Sequence, residues 1–444
     1  MRFRVQNFRS LKEEQELSMV AGSLTDSSEA VTQVEGLNLG LLRAAAIYGA
    51  NASGKTNVLK ALAYMRGAVL NSQRQWPPEG PIPRNPFLLD AQSKSAGSFF
   101  EADVLTDGTR YSYGFVLNDH EIVREWLNAY PTSKRPNRKQ MWFRRERRAF
   151  TFGKKLTGDN QAIERLTRPN SLFLSAAAQN NHEALLPIYR WFAERLTCLS
   201  RERHSLRQQT AEMCQDSRHK PLVLRMLKAA DLGIIGLSVD EVDLFALPPG
   251  LDADQKAVAE EFFASLRKFV GRLSEEDERT LKSWEKRQAL SLIHRSSSEA
   301  GVLLGEENES DGTLAFFGLL GPVLRALSSG GTICVDELDS SLHPLLVLEV
   351  VRLFNDPKLN PSAAQIIFTT HDTNVLDRSS LRRDQVWFTE KDDQGGTHLY
   401  PLTDFTTRKN ENLERGYLQG RYGAIPFVGS TDLFSDTKQE GATE

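Results

Sequence analysis

Cysteine is scarce in this chain. Its 444 residues hold only Cys198, Cys214 and Cys334, too few and too scattered for a disulfide framework. No CxxC pair and no histidine cluster has zinc-ligand spacing, so a reducing cytoplasm is the expected compartment. Long apolar runs are also missing. The longest, Leu314 to Leu324, is about half the roughly 20 residues a membrane span needs, and the opening MRFRVQNFRSLKEEQ has no apolar signal core. Neither secretion nor membrane insertion is expected. Nor is there an excess of one charge: 55 Lys and Arg against 58 Asp and Glu give −3, which excludes a uniformly basic nucleic-acid binder. What is present is 40% hydrophobic and 25% charged residues, the balance of a folded globular protein. At roughly 100 to 200 residues per domain, the length predicts two or three domains, or one domain with a large insertion.

The pattern along the chain favours the second arrangement. Residues 2 to 20 read as two short strands about a charged turn, and 44 to 48 (AAAIY) as a buried strand. A helix from Lys55 to about Arg66 follows, with Val58, Leu59, Leu62 and Met65 at helical spacing. Residues 70 to 97 are a Pro- and Gln-rich loop, and 98 to 127 alternate about the Asp107-Gly108 turn as a β meander. From about 160 to 300 the reading is mainly helical, with Val258, Phe262, Leu266, Phe269 and Leu273 on one helix face. Strand and helix alternation resumes near 301: helix 313–327, strand 332–335, helix 344–354, then strands 365–370, 385–390 and 397–401. The expected organisation is 1–160 and 301–430 as two halves of one α/β nucleotide-type core, 161–300 as an insertion, and 431–444 as a mobile tail.

Gly49-Ala50-Asn51-Ala52-Ser53-Gly54-Lys55-Thr56 matches GxxxxGK[ST] between a strand and a helix, the context this phosphate-binding loop requires. Its glycines let backbone N–H groups wrap a phosphate, and the helix N-terminus adds its positive dipole end. Lys55 then reaches the β and γ phosphates of a bound nucleotide, and Thr56 offers a hydroxyl to Mg²⁺. Gly49, Asn51, Ser53, Gly54, Lys55, Thr56 and Asn57 are the candidate nucleotide residues.

Thr332-Ile333-Cys334-Val335 ends in Asp336-Glu337. Beside such a loop, Asp336 can hold Mg²⁺ and Glu337 can orient and deprotonate the attacking water. Alone, an apolar run followed by two acids also reads as a buried strand meeting a solvated turn. Gln365 to Asp372 (QIIFTTHD) is a further buried strand ending in His371, which can hydrogen-bond the γ phosphate or the attacking water.

Together these residues resemble an ABC-type ATPase head, the class of SMC, repair ATPase and OLD proteins. The fold this implies is an α/β P-loop NTPase head, a mixed sheet with flanking helices, interrupted by a β-hairpin region and a helical insertion. AAIYGANASGKTNVLKAL, LFLSAAAQNN, ESDGT, VDELDSSLHPLL, FTTHDTNVLD, LRRDQVWFTEKD and YLQGRYGAIP are similar to the RloA-like ATPases of prokaryotic defence operons, which include the ATPase component of the PARIS anti-phage system. The resemblance implies that Glu309-Ser310-Asp311-Gly312-Thr313 replaces the usual signature, with Ser310 and Gly312 capping the γ phosphate of an opposite subunit. ATP would then join a head-to-tail dimer or a larger homo-oligomer. It further implies Gln179 as the glutamine of the Mg²⁺ site and Arg9 as a residue approaching nucleotide. Where the class has an aspartate after the carboxylate strand, this chain has His343.

Residues after His371 are too few for a TOPRIM nuclease domain, so the resemblance implies a separate effector of TOPRIM type, held or released by the ATPase when a phage protein triggers it. Residues 134–155 carry ten Lys or Arg against one Glu, interleaved with Trp142, Phe143, Phe150 and Phe152. This segment reads as a nucleic-acid site, as a surface for an acidic protein, or as a hairpin with a solvated basic face and core aromatics. Two other functions stay open: a DNA-repair ATPase stimulated by DNA, and a scaffold in which ATP is structural.

Overall fold

The computed structural model describes residues 1–24, 26–34, 36, 39–132, 138–199, 203–230, 232–243, 252, 256–258, 261–262, 265, 286–296, 301–376, 380–407 and 411–426. It divides into two compact units. The first is Met1–Cys198 with Leu327–Asp339 and Val347–Glu444; the second is Leu199–Ala326 with Ser340–Leu346. The change of unit after Cys198, rather than at 160, has a simple cause. Strand Leu196–Cys198 pairs in parallel with Thr332–Val335, which keeps residues 161–198 in the first unit.

The first unit is α/β. Its six-stranded sheet runs in the order Leu196–Cys198, Thr332–Val335, Gln365–Thr369, Ala44–Gly49, Val386–Lys391, Thr397–Pro401, parallel except for the last strand. Ala44–Gly49 is buried at every position, as a central parallel strand must be. The register aligns Ile47 with Thr369 and Phe368 with Val335. Gly49, Asp336 and His371 therefore leave the same carboxyl edge of the sheet, where ligands bind in open α/β folds.

The second sheet of this unit is antiparallel, in the order Ala149–Phe152, Gln140–Glu146, Ile122–Pro131, Thr109–Leu117, Ser98–Thr106, Arg2–Gln6, Gln15–Ser18. Asp107 and Gly108, at φ 49° and 66°, form the expected two-residue hairpin turn. The inner face carries Phe3, Val5, Phe100, Tyr113, Phe115 and Phe143, all buried. The helix Lys55–Asn71 packs on it through Tyr64, whose ring stacks 5.0 Å from Phe100. Each such buried ring contributes roughly 1.5–3 kcal/mol of transfer free energy, and here it also fixes the helix that follows the phosphate-binding loop.

The second unit adds strands that the mainly helical reading of 160–300 did not foresee. Besides helices Arg203–Met213 and Lys220–Ala229, it contains an antiparallel sheet of Ile234–Asp243, Lys286–His294 and Val302–Gly305. Buried Leu290 and Leu292 alternate with Ser291, the period of a strand. Of the helix expected through Val258 to Leu273, Leu266, Phe269 and Leu273 lie outside the described residues, as does the tail 431–444.

Helix Asp311–Ser329 contains Pro322, which cannot donate to the carbonyl four residues back. The Thr210 hydroxyl donates to that carbonyl, Gly318 O, at 3.0 Å and accepts from the N–H of Gly321 at 3.1 Å. Among the described residues this is the one helix long and apolar enough to cross a membrane, and 61% of that stretch is buried, as in a core helix.

Candidate functional site

The loop after strand Ala44–Gly49 is held from behind. Gly54 caps the helix Lys55–Asn71 with φ 108°, a conformation that favours glycine, and a Cβ there would overlap Thr397. Thr397 Oγ1 bonds Ser53 O at 2.8 Å and Ser10 Oγ at 2.7 Å, and Ser10 Oγ also accepts from the Asn57 amide at 2.7 Å. Ser53 Oγ is 2.7 Å from Thr389 Oγ1. Ser53 and Asn57 thus spend their side chains on the loop's support. Asn51 is exposed at the loop tip. Lys55 folds over the loop, its Nζ donating to Gly49 O at 2.8 Å and Ala50 O at 3.1 Å. Burial pulls its ammonium below the ordinary lysine value, against the opposing charges of Asp336, Glu337 and Asp339.

Thr56 begins the candidate cation site. Its hydroxyl lies 2.9 and 3.1 Å from the two carboxylate oxygens of Asp336. Thr369 Oγ1 donates to Asp336 Oδ1 at 2.8 Å and accepts the backbone N–H of Glu337 at 2.7 Å. Glu337 has φ 52°, a strained position for a non-glycine residue, and the Thr369 bond helps hold it there. His371 stands exposed at the next strand end, its backbone N–H donating to Asp339 Oδ2 at 3.2 Å. Partial desolvation, then the Lys55 charge, holds the imidazole below its ordinary value, with Asp339, Glu337 and Asp336 pulling the other way.

Lys55, Thr56, Asp336, Glu337 and His371 are therefore brought together across the sequence. Thr369, Asp339, Thr389 and Thr397 join them unforeseen. The first three sit in the FTTHD, VDELD and VWFTEKD segments, and a polar residue flanking a strand end was the available signal.

The remaining candidates are placed differently. Gln179 is exposed at the end of helix Phe173–Gln179, and among the described residues no hydrogen bond joins it to this cluster. Arg9 is exposed at φ 52°, its guanidinium 5.8 Å from the Phe8 ring centre. In the second unit, Ser310 Oγ accepts the Thr313 N–H at 3.1 Å and caps helix Asp311–Ser329, while a Cβ on Gly312 would crowd Ser341 O. His343 likewise caps the next helix, its Nδ1 3.3 Å from Leu345 N.

In the basic segment, residues 134–137 lie outside the described residues. The rest is the edge hairpin Gln140–Glu146 and Ala149–Phe152, with Phe143 buried, Phe150 and Phe152 against Phe173, and Trp142 against Tyr111. Its aromatics belong to the core, leaving Arg144, Arg147, Arg148, Lys154 and Lys155 exposed.

A family model described as "AAA domain, putative AbiEii toxin, Type IV TA system" matches residues 44–377, from the loop strand to just past His371. The chain belongs to this family. Within this AAA-domain chain, the matched span includes every residue of the cluster except the supports Thr389 and Thr397. Three solved structures are similar to it. The SMC head bound to the C-terminal winged-helix domain of ScpA is 12% identical over 90% of this chain and 96% of that one, at TM-score 0.41. For the SMC head domain from Thermotoga maritima the values are 12%, 90%, 97% and 0.38. For the recombination mediator RecF with ATP they are 12%, 90%, 96% and 0.31. No curated protein matches the chain.

Proposed function

We propose that the chain is a cytoplasmic ABC-type ATPase that binds ATP with Mg²⁺, hydrolyses it, and as a nucleotide-dependent homo-oligomer regulates a separate TOPRIM-type effector in anti-phage defence. The observation that carries the ATPase reading is the contact of Thr56 with Asp336, with Glu337 next in the chain. Among the described residues no group of three or more His, Cys, Asp or Glu could cage a metal. That fits Mg²⁺, which takes one or two protein oxygens and completes its shell with water and phosphate. Thr56 and Asp336 would hold it, with Gln179 as a further ligand, and it would supply charge neutralisation at the phosphates.

Glu337 takes a proton from water, and His371 donates a hydrogen bond toward the γ phosphate or the water. Ser310, Gly312 and the dipole end of their helix complete the site of an opposite subunit. The defence role rests on the resemblance to RloA-like ATPases.

Phosphate release and light scattering test this together. Lys55→Ala is expected to lose ATP binding, and Glu337→Gln to keep ATP, stop turnover and accumulate the oligomer. Equal turnover by wild type and Glu337→Gln would remove Glu337 as the base. Turnover that rises with added DNA would favour the repair reading, and ATP binding without phosphate release would favour the scaffold.

A further inference from the structure

The outer face of the antiparallel sheet, opposite its core side, forms a cavity of about 560 Å³, within the range that holds a small ligand. Cross-strand register places Arg4, Glu101, Gly114, Trp126 and Arg144 in one row across five strands. Gly114 is the reason the row has a flat floor: a Cβ there would overlap the Trp126 ring, so the indole lies over the bare backbone. Phe99 extends that floor, its ring 6.0 Å from Trp126 and inclined by only 18°. The indole N–H is already used, donating to Glu101 Oε2 at 2.8 Å. Trp126 therefore offers the cavity a π face and no hydrogen bond.

The surrounding charges are not all matched. Arg2 pairs with Asp103, Arg4 with Glu101 and Glu14, and Arg144 with Glu146. Arg124 and Lys139 also line the cavity, are exposed, and have no carboxylate partner among the described residues. A fixed aromatic face beside two unmatched cations selects a ligand with one planar ring and one anionic group.

We infer that this sheet face is a second nucleotide-unit site, in which a nucleobase stacks on Trp126 and its phosphate is held by Arg124 and Lys139. The base must be unpaired to reach the indole, so the ligand is either a single strand or a free nucleotide, and a duplex is excluded. The site lies apart from the phosphate-binding loop and needs no step of ATP turnover. It shares Lys139 and Arg144 with the basic segment read from sequence, but takes its aromatic face from Trp126, because that segment's own aromatics are packed inward.

The test uses the full chain carrying Lys55→Ala, so that the loop itself does not report. Anisotropy of a fluorescein-labelled oligothymidylate and calorimetry with adenosine 5′-monophosphate are measured across a salt series. Arg124→Gln is expected to lower the salt slope of oligonucleotide binding by about one. Trp126→Ala is expected to weaken binding about tenfold or more, and Trp126→Phe, which keeps the stack and loses the Glu101 bond, to recover most of it. Oligonucleotide bound far more tightly than the monophosphate identifies a strand as the ligand; equal affinities identify a free nucleotide. Binding of neither probe, indifference of both to Arg124→Gln and to Trp126→Ala with its fold retained by circular dichroism, or equal affinity for a duplex overturns the proposal.

Discussion

Thr56 and Asp336 lie 280 positions apart in the chain, and the hydroxyl of one sits 2.9 and 3.1 Å from both carboxylate oxygens of the other. Strand order explains how. Two parallel strand ends flank Gln365–Thr369, and Thr369 bridges to Asp336 from that intervening strand. The contact joins the loop that takes phosphate to the strand that carries the acid, so disturbing it separates metal-dependent from metal-independent nucleotide binding.

Thr56→Val removes the hydroxyl and keeps the shape. It is expected to abolish the Mg²⁺-dependent part of ATP affinity, while Thr56→Ser retains it. Titrating a fluorescent ATP analogue with Mg²⁺ and with EDTA checks this. Equal Mg²⁺ dependence in wild type and Thr56→Val would remove Thr56 as a ligand.

Thr369→Val acts on the same acid from the other side. It strips one hydrogen bond from Asp336 and one from the Glu337 backbone, which holds φ 52°. Loss of a positioned base costs about 10²–10⁴-fold in rate, and a misplaced one is expected to cost about tenfold or more in kcat with ATP affinity little changed. Single-turnover phosphate release separates the two quantities.

The pH behaviour of His371 follows from its neighbours. Its folded value is depressed, so the fold favours the neutral ring, and this contribution to stability is full above the unfolded value near 6.5 and falls away as pH drops below it. Lys55→Ala removes a charge that lowers the value, and Asp339→Asn removes one that raises it. Histidine NMR titration is therefore expected to show His371 moving up in the first variant and down in the second. Movement in the same direction would contradict the assigned surroundings.

Glu125 is a buried charge whose partners stability depends on. It is fully buried, accepts Tyr113 OH at 2.9 Å and the N–H groups of Phe173 and Leu174 at 2.7 and 3.0 Å, and faces buried Arg145 at 3.6 Å. Burial still pushes its carboxyl above the ordinary value. Arg145→Ala leaves that carboxylate without its counter-charge and is expected to cost about 3–5 kcal/mol in a denaturant melt of the first unit. A change below about 1 kcal/mol would mean that the hydrogen bonds alone satisfy Glu125.

How much of this was legible depends on what writes a local signal. Strands Thr332–Val335 and Thr397–Pro401 fell where expected because each is a short run bounded by glycine pairs, Gly330-Gly331 and Gly395-Gly396. The loop from Gly49 to Thr56 was legible because phosphate binding needs glycine at fixed offsets. Thr369 was not, since its role exists only once two distant strands lie side by side. Strands Ile234–Asp243 and Lys286–His294 were hidden by a long charged stretch between them that read as helix. Trp126 passed as one more alternating residue of the meander, because only the pairing across Gly114 frees its face.

Gly54 offers a test in which crowding and backbone conformation can be told apart. At φ 108° an L side chain is strained whatever the space, and a Cβ would in addition meet Thr397. Gly54→Ala is expected to lose ATP binding while the chain still folds, since such strain costs of order 1–3 kcal/mol. If crowding were the cause, adding Thr397→Gly, which also removes the Cβ 2.9 Å from the added methyl, would restore binding. The conformational account predicts that the double variant stays inactive, because emptying position 397 leaves the left-handed backbone unchanged. Calorimetry on Gly54→Ala, Thr397→Gly and the pair distinguishes these. Recovery in the double variant, with Thr397→Gly alone binding normally, would show that the loop accepts a side chain at this position once Thr397 makes room.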